Sequence, residues 1–204
     1  NALRFAAHIA DKLGDTERME DLEAKAARVR EAFQQVFVNE SGYLWDYVDE
    51  GKPNVEVRPN MIIPVALDFS PLDQEQKKSV IDFCTRELLT TKGLRTLSPK
   101  SGQYNPMYVG TQNQRDWAYH QGTAWPWLEC FYLKGILNVF KRSRVSFILR
   151  QMVGFEDEMF YHAIGTMPEL FDGNPPFHGR GGSAFAMNVA ALLRMSKLLE
   201  YYTD

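Results

Sequence analysis

The apolar residues of this chain recur with a helical period, and this feature constrains the fold more than any other. The period is clearest where apolar side chains follow one another at intervals of three or four residues: Met19, Leu22, Ala26, Val29, Phe33 and Val36. Such spacing places these side chains on one face of an amphipathic helix. Six further segments are predicted to be helical: 1–13, 59–69, 70–89, 124–139, 143–160 and 184–202. No strand ladder is evident, so the sequence predicts an all-α fold of consecutive helical hairpins, either a solenoid or a closed toroid.

Polar residues predict where two of these helices begin. Thr16 is predicted to cap the second helix, because its hydroxyl can accept a hydrogen bond from an unpaired amide of the first turn. Ser70 is predicted to cap the helix at 70–89, with Pro71 in its first position. Between residues 93 and 121 no helical period is present. A loop of this length inside a compact protein is typically functional.

Composition and charge narrow the class of protein. Hydrophobic residues make up 45% of the 204 residues, enough to bury one core, so a single domain over residues 1–204 is predicted. The net charge is −3 and no basic stripe is present, which argues against nucleic acid as a partner. No apolar run has the length of a membrane span, so no membrane partner is predicted.

The cysteines and histidines predict neither a disulfide framework nor a metal site. Cys84 and Cys130 lie in apolar helical patterns, which suits a reducing cytoplasm. The histidines lack the spacing of metal ligands, and no phosphate-binding loop is present. We therefore predict no metal and no other cofactor.

Tryptophans are concentrated in or beside the long loops: Trp45, Trp117, Trp125 and Trp127. Flat aromatic rings among polar groups can stack on the apolar C–H faces of sugars, whose hydroxyls then require hydrogen bonds. The alternative interpretation is that these rings anchor the loops to the core.

Carboxylates accompany these aromatic residues in the loops: Asp46, Asp116, Glu169 and Asp172. Hydrolysis of a glycosidic bond requires two carboxyl groups. Glu169 stands in Met-Pro-Glu-Leu-Phe-Asp-Gly, where apolar neighbours can desolvate a carboxylate and raise its basicity. An ordinary capping or salt-bridged acid remains the alternative for each of these residues.

Several motifs, in the same order along the chain, resemble the C-terminal amylo-α-1,6-glucosidase domain of glycogen debranching enzymes. Residues 116–127 read Asp-Trp-Ala-Tyr-His-Gln-Gly-Thr-Ala-Trp-Pro-Trp, and residues 168–173 read Pro-Glu-Leu-Phe-Asp-Gly. Arg-Pro-Asn at 58–60 and Leu-Thr-Thr-Lys-Gly-Leu-Arg-Thr-Leu at 89–97 also match. The two longer motifs are the more specific ones.

The resemblance implies an (α/α)6 toroid, of which this chain would be the second half, acting in the cytoplasm on branched α-glucan. It implies removal of α-1,6-linked glucose with inversion by a carboxylate pair, and Glu169 as the general base that activates water. The resemblance also implies a set of residues that line or support the sugar pocket: Asp116, Tyr119, His120, Trp125, Arg58 and Asn60. We expect Asp116, His120, Trp125 and Glu169 to surround one concave site.

The chain departs from the family pattern at three places. The family's general acid is an Asp in a Trp-Met-Asp tract upstream of Asn-Ala-Leu, and here Asn-Ala-Leu occupies residues 1–3. We therefore expect the acid to come from an N-terminal half that precedes this sequence. Phe-Ala-Met-Asn at 185–188 replaces the usual Gln-Ala-Trp-Ser, and Met61 replaces a Gln. The alternative function is a non-catalytic α-glucan-binding or helical scaffold protein.

Overall fold

The computed structural model describes residues 1–203, and helices form most of this range. The α-helices are α1 (Ala2–Lys12), α2 (Thr16–Phe37), α3 (Ile62–Ala66), α4 (Gln74–Glu87), α5 (Gln112–Ala118), α6 (Pro126–Phe140), α7 (Val145–Val153), α8 (Glu158–Tyr161) and α9 (Ala186–Thr203). Short 3-10 helices at Pro59–Met61 and Lys141–Arg144 lead into α3 and α7. The predicted mostly helical fold is confirmed. In the part of the chain that the structure describes, no helix has the length and apolar character needed to cross a membrane.

Helix α6 lies at the centre of the core, packed against α3, α4 and α9. It is apolar on most sides, and a helix of this kind is stable only when it is surrounded by other elements. Leu133 and Leu137 are fully buried in it. Gly135 allows α3 to approach closely, since a Cβ at this position would lie 3.1 Å from Val65.

Two predicted helix starts are wrong. The cap of α2 is Asp15, not Thr16, because the Asp15 carboxylate accepts a hydrogen bond from the Arg18 amide at 3.1 Å. Helix α4 begins after Asp73, which forms a reciprocal capping box with Gln76. Ser70 instead accepts from the Leu72 amide in the preceding turn. A charged cap that satisfies two backbone groups reciprocally stabilises the later start.

Two predicted segment boundaries also change. The helix expected at 143–160 divides into α7 and α8, with turns between them that begin at Gly154. The segment 93–121, which has no helical period, contains α5. A Thr111–Gln114 capping box starts α5, and Ala118 is its one buried residue. A two-turn helix with so little buried surface leaves no apolar stripe to detect.

The absence of a strand ladder was also a wrong expectation. The structure has a five-stranded antiparallel sheet, in the order β3 (Leu89–Thr90), β4 (Gly93–Arg95), β5 (Ala124–Trp125), β6 (Leu170–Phe171) and β7 (Gly179–Arg180). A separate hairpin pairs β1 (Val48–Asp49) with β2 (Lys52–Pro53). Strands of two or three residues are too short to show an alternating pattern in sequence.

A glycine permits the close packing between two strands of this sheet. Gly93 has φ 131°, and a Cβ there would lie 2.5 Å from the Trp125 carbonyl carbon. The sheet thus joins segments from three connections between helices, and its strand β5 leads directly into α6.

Candidate active site

Glu169 is held by the chain that follows it. Its amide donates to the Gly182 carbonyl at 2.9 Å, and the Gly182 amide donates to Glu169 Oε2, also at 2.9 Å. Gly181, at φ 72°, has no side chain because a Cβ there would collide with the Glu169 carboxylate. The β6–β7 pairing therefore fixes both the backbone and one oxygen of this residue.

Tyr119 fixes the other oxygen. Its hydroxyl donates to Glu169 Oε1, across 50 positions of sequence. Burial raises the pKa of Tyr119, and the hydrogen bond to the Glu169 carboxylate raises it further. The phenol therefore stays protonated and serves as a donor at neutral pH. Each carboxylate oxygen has a second lone pair, which leaves Glu169 able to accept a hydrogen bond from water.

The rings of Tyr119, His120 and Trp125 form a cluster that contacts Glu169 through the Tyr119 hydroxyl. The Tyr119 and Trp125 rings meet edge to face at 4.8 Å, and the His120 and Trp125 rings are stacked at 6.3 Å. The Trp125 indole N–H donates to the Tyr119 carbonyl at 3.3 Å. Trp125 therefore links Tyr119, which holds Glu169, to a pocket that Trp125 itself lines.

Two of these residues, His120 and Trp125, line a pocket of about 440 Å³. Its lining residues come from three loops and the start of α6: Asp46, Tyr47, Arg58, Pro59, Asn60, Thr96, His120, Trp125, Trp127 and Leu128. The mixture of flat rings, a carboxylate, an amide and a guanidinium is typical of a site for a polar ring with apolar faces. Of the residues implied by the resemblance, four line this pocket: Arg58, Asn60, His120 and Trp125.

Arg58 and Asn60 hold the walls of the pocket together. The Arg58 guanidinium donates to the His120 carbonyl at 2.6 Å and to Gln121 Oε1 at 2.9 Å. Asn60 Nδ2 donates to Asp46 Oδ1 at 2.8 Å. Partial burial lowers the pKa of His120, and the Arg58 charge lowers it further, so a neutral imidazole faces the pocket at pH 7.

The structure separates the loop carboxylates. Asp46, which the sequence singled out only as a loop acid, lines the pocket with its side chain 13% exposed. Asp172 is fully buried, and its carboxylate accepts from the Tyr108 amide at 2.8 Å and from both Nε and Nη2 of Arg180. Asp116 is exposed on α5, three residues before Tyr119, and is not among the residues that line the pocket. Its predicted sugar contact stays a prediction.

Two further pocket residues were missed as parts of the site. Tyr47 was not predicted to belong to the site, and Trp127 was considered only as one of four loop tryptophans that could stack on a sugar. The signal for Tyr47 was its place directly after Asp46, in a loop with three alternating aromatic residues. No local pattern shows that this loop contacts the start of α6.

The fold defines the class of protein. The chain aligns over 97% of its length with 42% of a mannosylglycerate hydrolase from Thermus thermophilus, with a TM-score of 0.67 and 15% identity. It aligns over 96% of its length with 36% of a neutral trehalase from Saccharomyces cerevisiae, with a TM-score of 0.66 and 15% identity. The fold is that of the (α/α)6 toroid, as the resemblance implied.

Within that class, residues 1–194 match the amylo-alpha-1,6-glucosidase family, and the chain belongs to it. A segment of 105 residues, 48% of the chain, is 30% identical to the glycogen debranching enzyme of Saccharomyces cerevisiae and covers 7% of that enzyme. The chain thus spans less than half the length of each of these relatives. The resemblance drawn from the motifs is confirmed.

Proposed function

We propose that this chain supplies the general base and much of the sugar pocket of an inverting glycoside hydrolase that removes α-1,6-linked glucose from branched α-glucan. The substrate would be glycogen or a limit dextrin, acted on in the cytoplasm. The observation that carries the proposal is the Glu169 carboxylate, held at one oxygen by the Gly182 amide and at the other by Tyr119, whose ring contacts Trp125.

Glu169 fits the role of a base because its position is fixed and its proton-accepting capacity is not used up. A general base must hold the attacking water within hydrogen-bond reach while it removes a proton. The water oxygen forms the new bond to the anomeric carbon, and the glycosidic bond breaks with its electron pair going to the leaving oxygen. Glu169 takes the water proton, and the general acid protonates the leaving oxygen.

The pocket fits a terminal glucose because its lining combines aromatic rings with polar side chains. Trp125 and Trp127 offer ring faces, while Asp46, Asn60 and the neutral His120 offer acceptors and donors for hydroxyls. Family membership supports glucose as the sugar. Asp116 and Tyr119 complete the proposed set of residues around the sugar.

The general acid is proposed to lie outside residues 1–204, in the missing N-terminal half, in a tract like the family's Trp-Met-Asp. In an inverting enzyme the two carboxyl groups stand roughly 6.5–9.5 Å apart, with the water between the base and the sugar. A second candidate function is α-glucan binding without turnover. It is favoured because two loop carboxylates that could have served as a second catalytic group are not placed to do so. Asp172 is engaged with Arg180 and Asp116 is exposed on α5.

The test compares three proteins: this chain alone, the complete protein, and the complete protein with Glu169→Gln. Glucose release from a branched limit dextrin is expected only from the complete wild-type protein. Glu169→Gln should lower kcat about 10²–10⁴-fold, the usual contribution of general base catalysis. Gln keeps the shape of Glu but cannot take the proton.

Glu56→Gln is the matched control, because Glu56 also accepts a hydroxyl hydrogen bond, from Ser101 at 3.0 Å, and does not line the pocket. It should leave kcat within twofold of wild type, and melting curves should show both variants folded. Turnover near the wild-type level in Glu169→Gln would refute the assignment of the base. Dextrin binding by a complete wild-type protein that releases no glucose would favour the second candidate.

A further inference from the structure

Asn188 connects three segments of the site through one side chain. It lies in the first turn of α9 and is fully buried. Its Nδ2 group donates to the Pro168 carbonyl at 2.7 Å and to the Glu169 carbonyl at 2.8 Å. Its Oδ1 accepts from the Trp127 amide at 3.2 Å.

These contacts join the base to the wall of the sugar pocket. The Trp127 amide is one of the N-terminal donors of α6 that have no partner within their own helix. The Trp127 side chain lines the pocket, whereas the Glu169 carbonyl belongs to the proposed base. Asn188 therefore spans the distance between the residue that activates water and a ring that faces the sugar.

We propose that Asn188 is a positioning residue that sets Glu169 against the sugar pocket, an inference that rests on the proposed function. In this chain the three contacts use two donors and one acceptor of a single short side chain, a combination that the Asn amide provides. Asp would retain the acceptor and lose both donors. Ala would leave two carbonyls and one amide without this partner in a buried position.

The chain contains a matched control. Asn138, on α6, also uses Nδ2 to contact two consecutive carbonyls, those of Val65 and Ala66, at 3.4 and 3.2 Å. Asn138 does not line the pocket and has no hydrogen bond to the Glu169 segment in the described part of the chain. Identical substitutions at Asn188 and Asn138 therefore distinguish the positioning of Glu169 from a general contribution to the stability of the fold.

In the complete protein, Asn188→Asp and Asn188→Ala should each lower kcat by roughly 10²-fold, because a displacement of about 1 Å can cost that much. KM should change less than threefold. Melting curves of the same samples should show both Asn188 variants folded, so the loss of kcat at nearly unchanged KM does not come from an unfolded fraction of the protein.

Asn138→Asp and Asn138→Ala should lower Tm and leave both kcat and KM within twofold of wild type. If the Asn188 variants behave like the Asn138 variants, the positioning role is wrong. It is also wrong if both Asn188 variants fail to fold while both Asn138 variants fold. Glu169→Gln is measured in the same experiment. Retained turnover in Glu169→Gln would overturn the proposed function itself. Lost turnover in Glu169→Gln together with wild-type kcat in the Asn188 variants would overturn only the positioning role of Asn188.

Discussion

The α1–α2 hairpin and the region around α6 are both built from regular helices, yet they differ in how they are buried. Helix α2 has no buried residue, and apolar side chains such as Phe5 and Val29 are more than half exposed. Helix α6 is shorter, but it is enclosed by three helices and by the sheet. In both regions the pattern of apolar residues is enough to specify a helix. How deeply the helix is buried depends on elements that are distant in sequence.

The candidate site belongs entirely to the enclosed region and to the loops against it. Trp127 lies in the first turn of α6, Glu169 directly precedes β6, and Asn188 lies in the first turn of α9. A site that requires fixed distances between separate segments needs a rigid support, and the α6 region supplies it. The hairpin of α1 and α2 provides no residue that lines the pocket.

The largest expected difference between the two regions is in stability. Leu133→Ala should lower the free energy of unfolding by about 2–5 kcal/mol, because Leu133 is fully buried in α6 and its removal leaves a cavity. Val29→Ala, on the exposed face of α2, should change it by less than about 0.5 kcal/mol. Urea unfolding of both variants measures the change in the free energy of unfolding, and equal decreases in the two variants would contradict the comparison.

A smaller effect is expected from a buried carboxyl group inside α6. Glu129 is fully buried, and neither of its carboxylate oxygens has a hydrogen-bond partner within residues 1–203. Burial raises the pKa of Glu129, so the folded state holds a proton that the unfolded state releases above its own pKa of about 4.3. Stability from this group is therefore full below about pH 4.3 and is lost as the pH rises towards the folded-state pKa.

Glu129→Met should accordingly stabilise the protein at pH 8 by about 1–3 kcal/mol, with the gain shrinking towards pH 4. Glu87→Met is the control, because Glu87 is also buried but accepts hydrogen bonds from Ser98 and Lys100 at 3.0 and 2.7 Å. Burial opposes ionisation of Glu87, but the hydrogen bonds from Lys100 and its other partners outweigh it and lower the pKa. Glu87→Met should destabilise the protein at pH 8. Thermal melts of both variants at several pH values measure these changes, and a Glu129→Met variant that is no more stable than wild type at pH 8 would contradict the prediction.

The sequence predicted the long helices well because their evidence is local. The stripe from Met19 to Val36 defines α2, and the apolar run after Trp125 defines α6. The cap at Asp73 was missed because Ser70 and Pro71 offered an equally good local pattern. The strands were missed because a segment of two or three residues is too short to show an alternating pattern.

The site was predictable in part and for a different reason. Glu169 and the residues 116–127 stood out through a family motif and not through spacing alone. The bond between Tyr119 and Glu169 joins positions 50 apart, and the Asn188 contact to Trp127 joins positions 61 apart. Pairing over such distances depends on the packed fold, so no local pattern reveals it.

The smallest expected effect concerns one hydrogen bond. Tyr119→Phe should lower kcat roughly tenfold, because a hydrogen bond to a charged group contributes about 1.5–3 kcal/mol and one oxygen of Glu169 loses its donor. Tyr43→Phe is the control in the loop after α2, since its hydroxyl donates to the Val55 carbonyl at 3.2 Å. Steady-state kinetics should show no change in that variant; a Tyr119→Phe variant as active as wild type would remove Tyr119 from the account.

Chemical rescue tests the central claim, that Glu169 activates the attacking water, most directly. In the complete protein, Glu169→Ala should lose turnover, and added azide should restore it, since a small anion can enter the space left by the carboxylate and attack without a base. The product should be a β-glucosyl azide, the inverted configuration, while wild-type turnover stays unchanged. A folded Glu169→Ala protein that azide does not rescue, or rescue that yields the α-azide, would contradict the account.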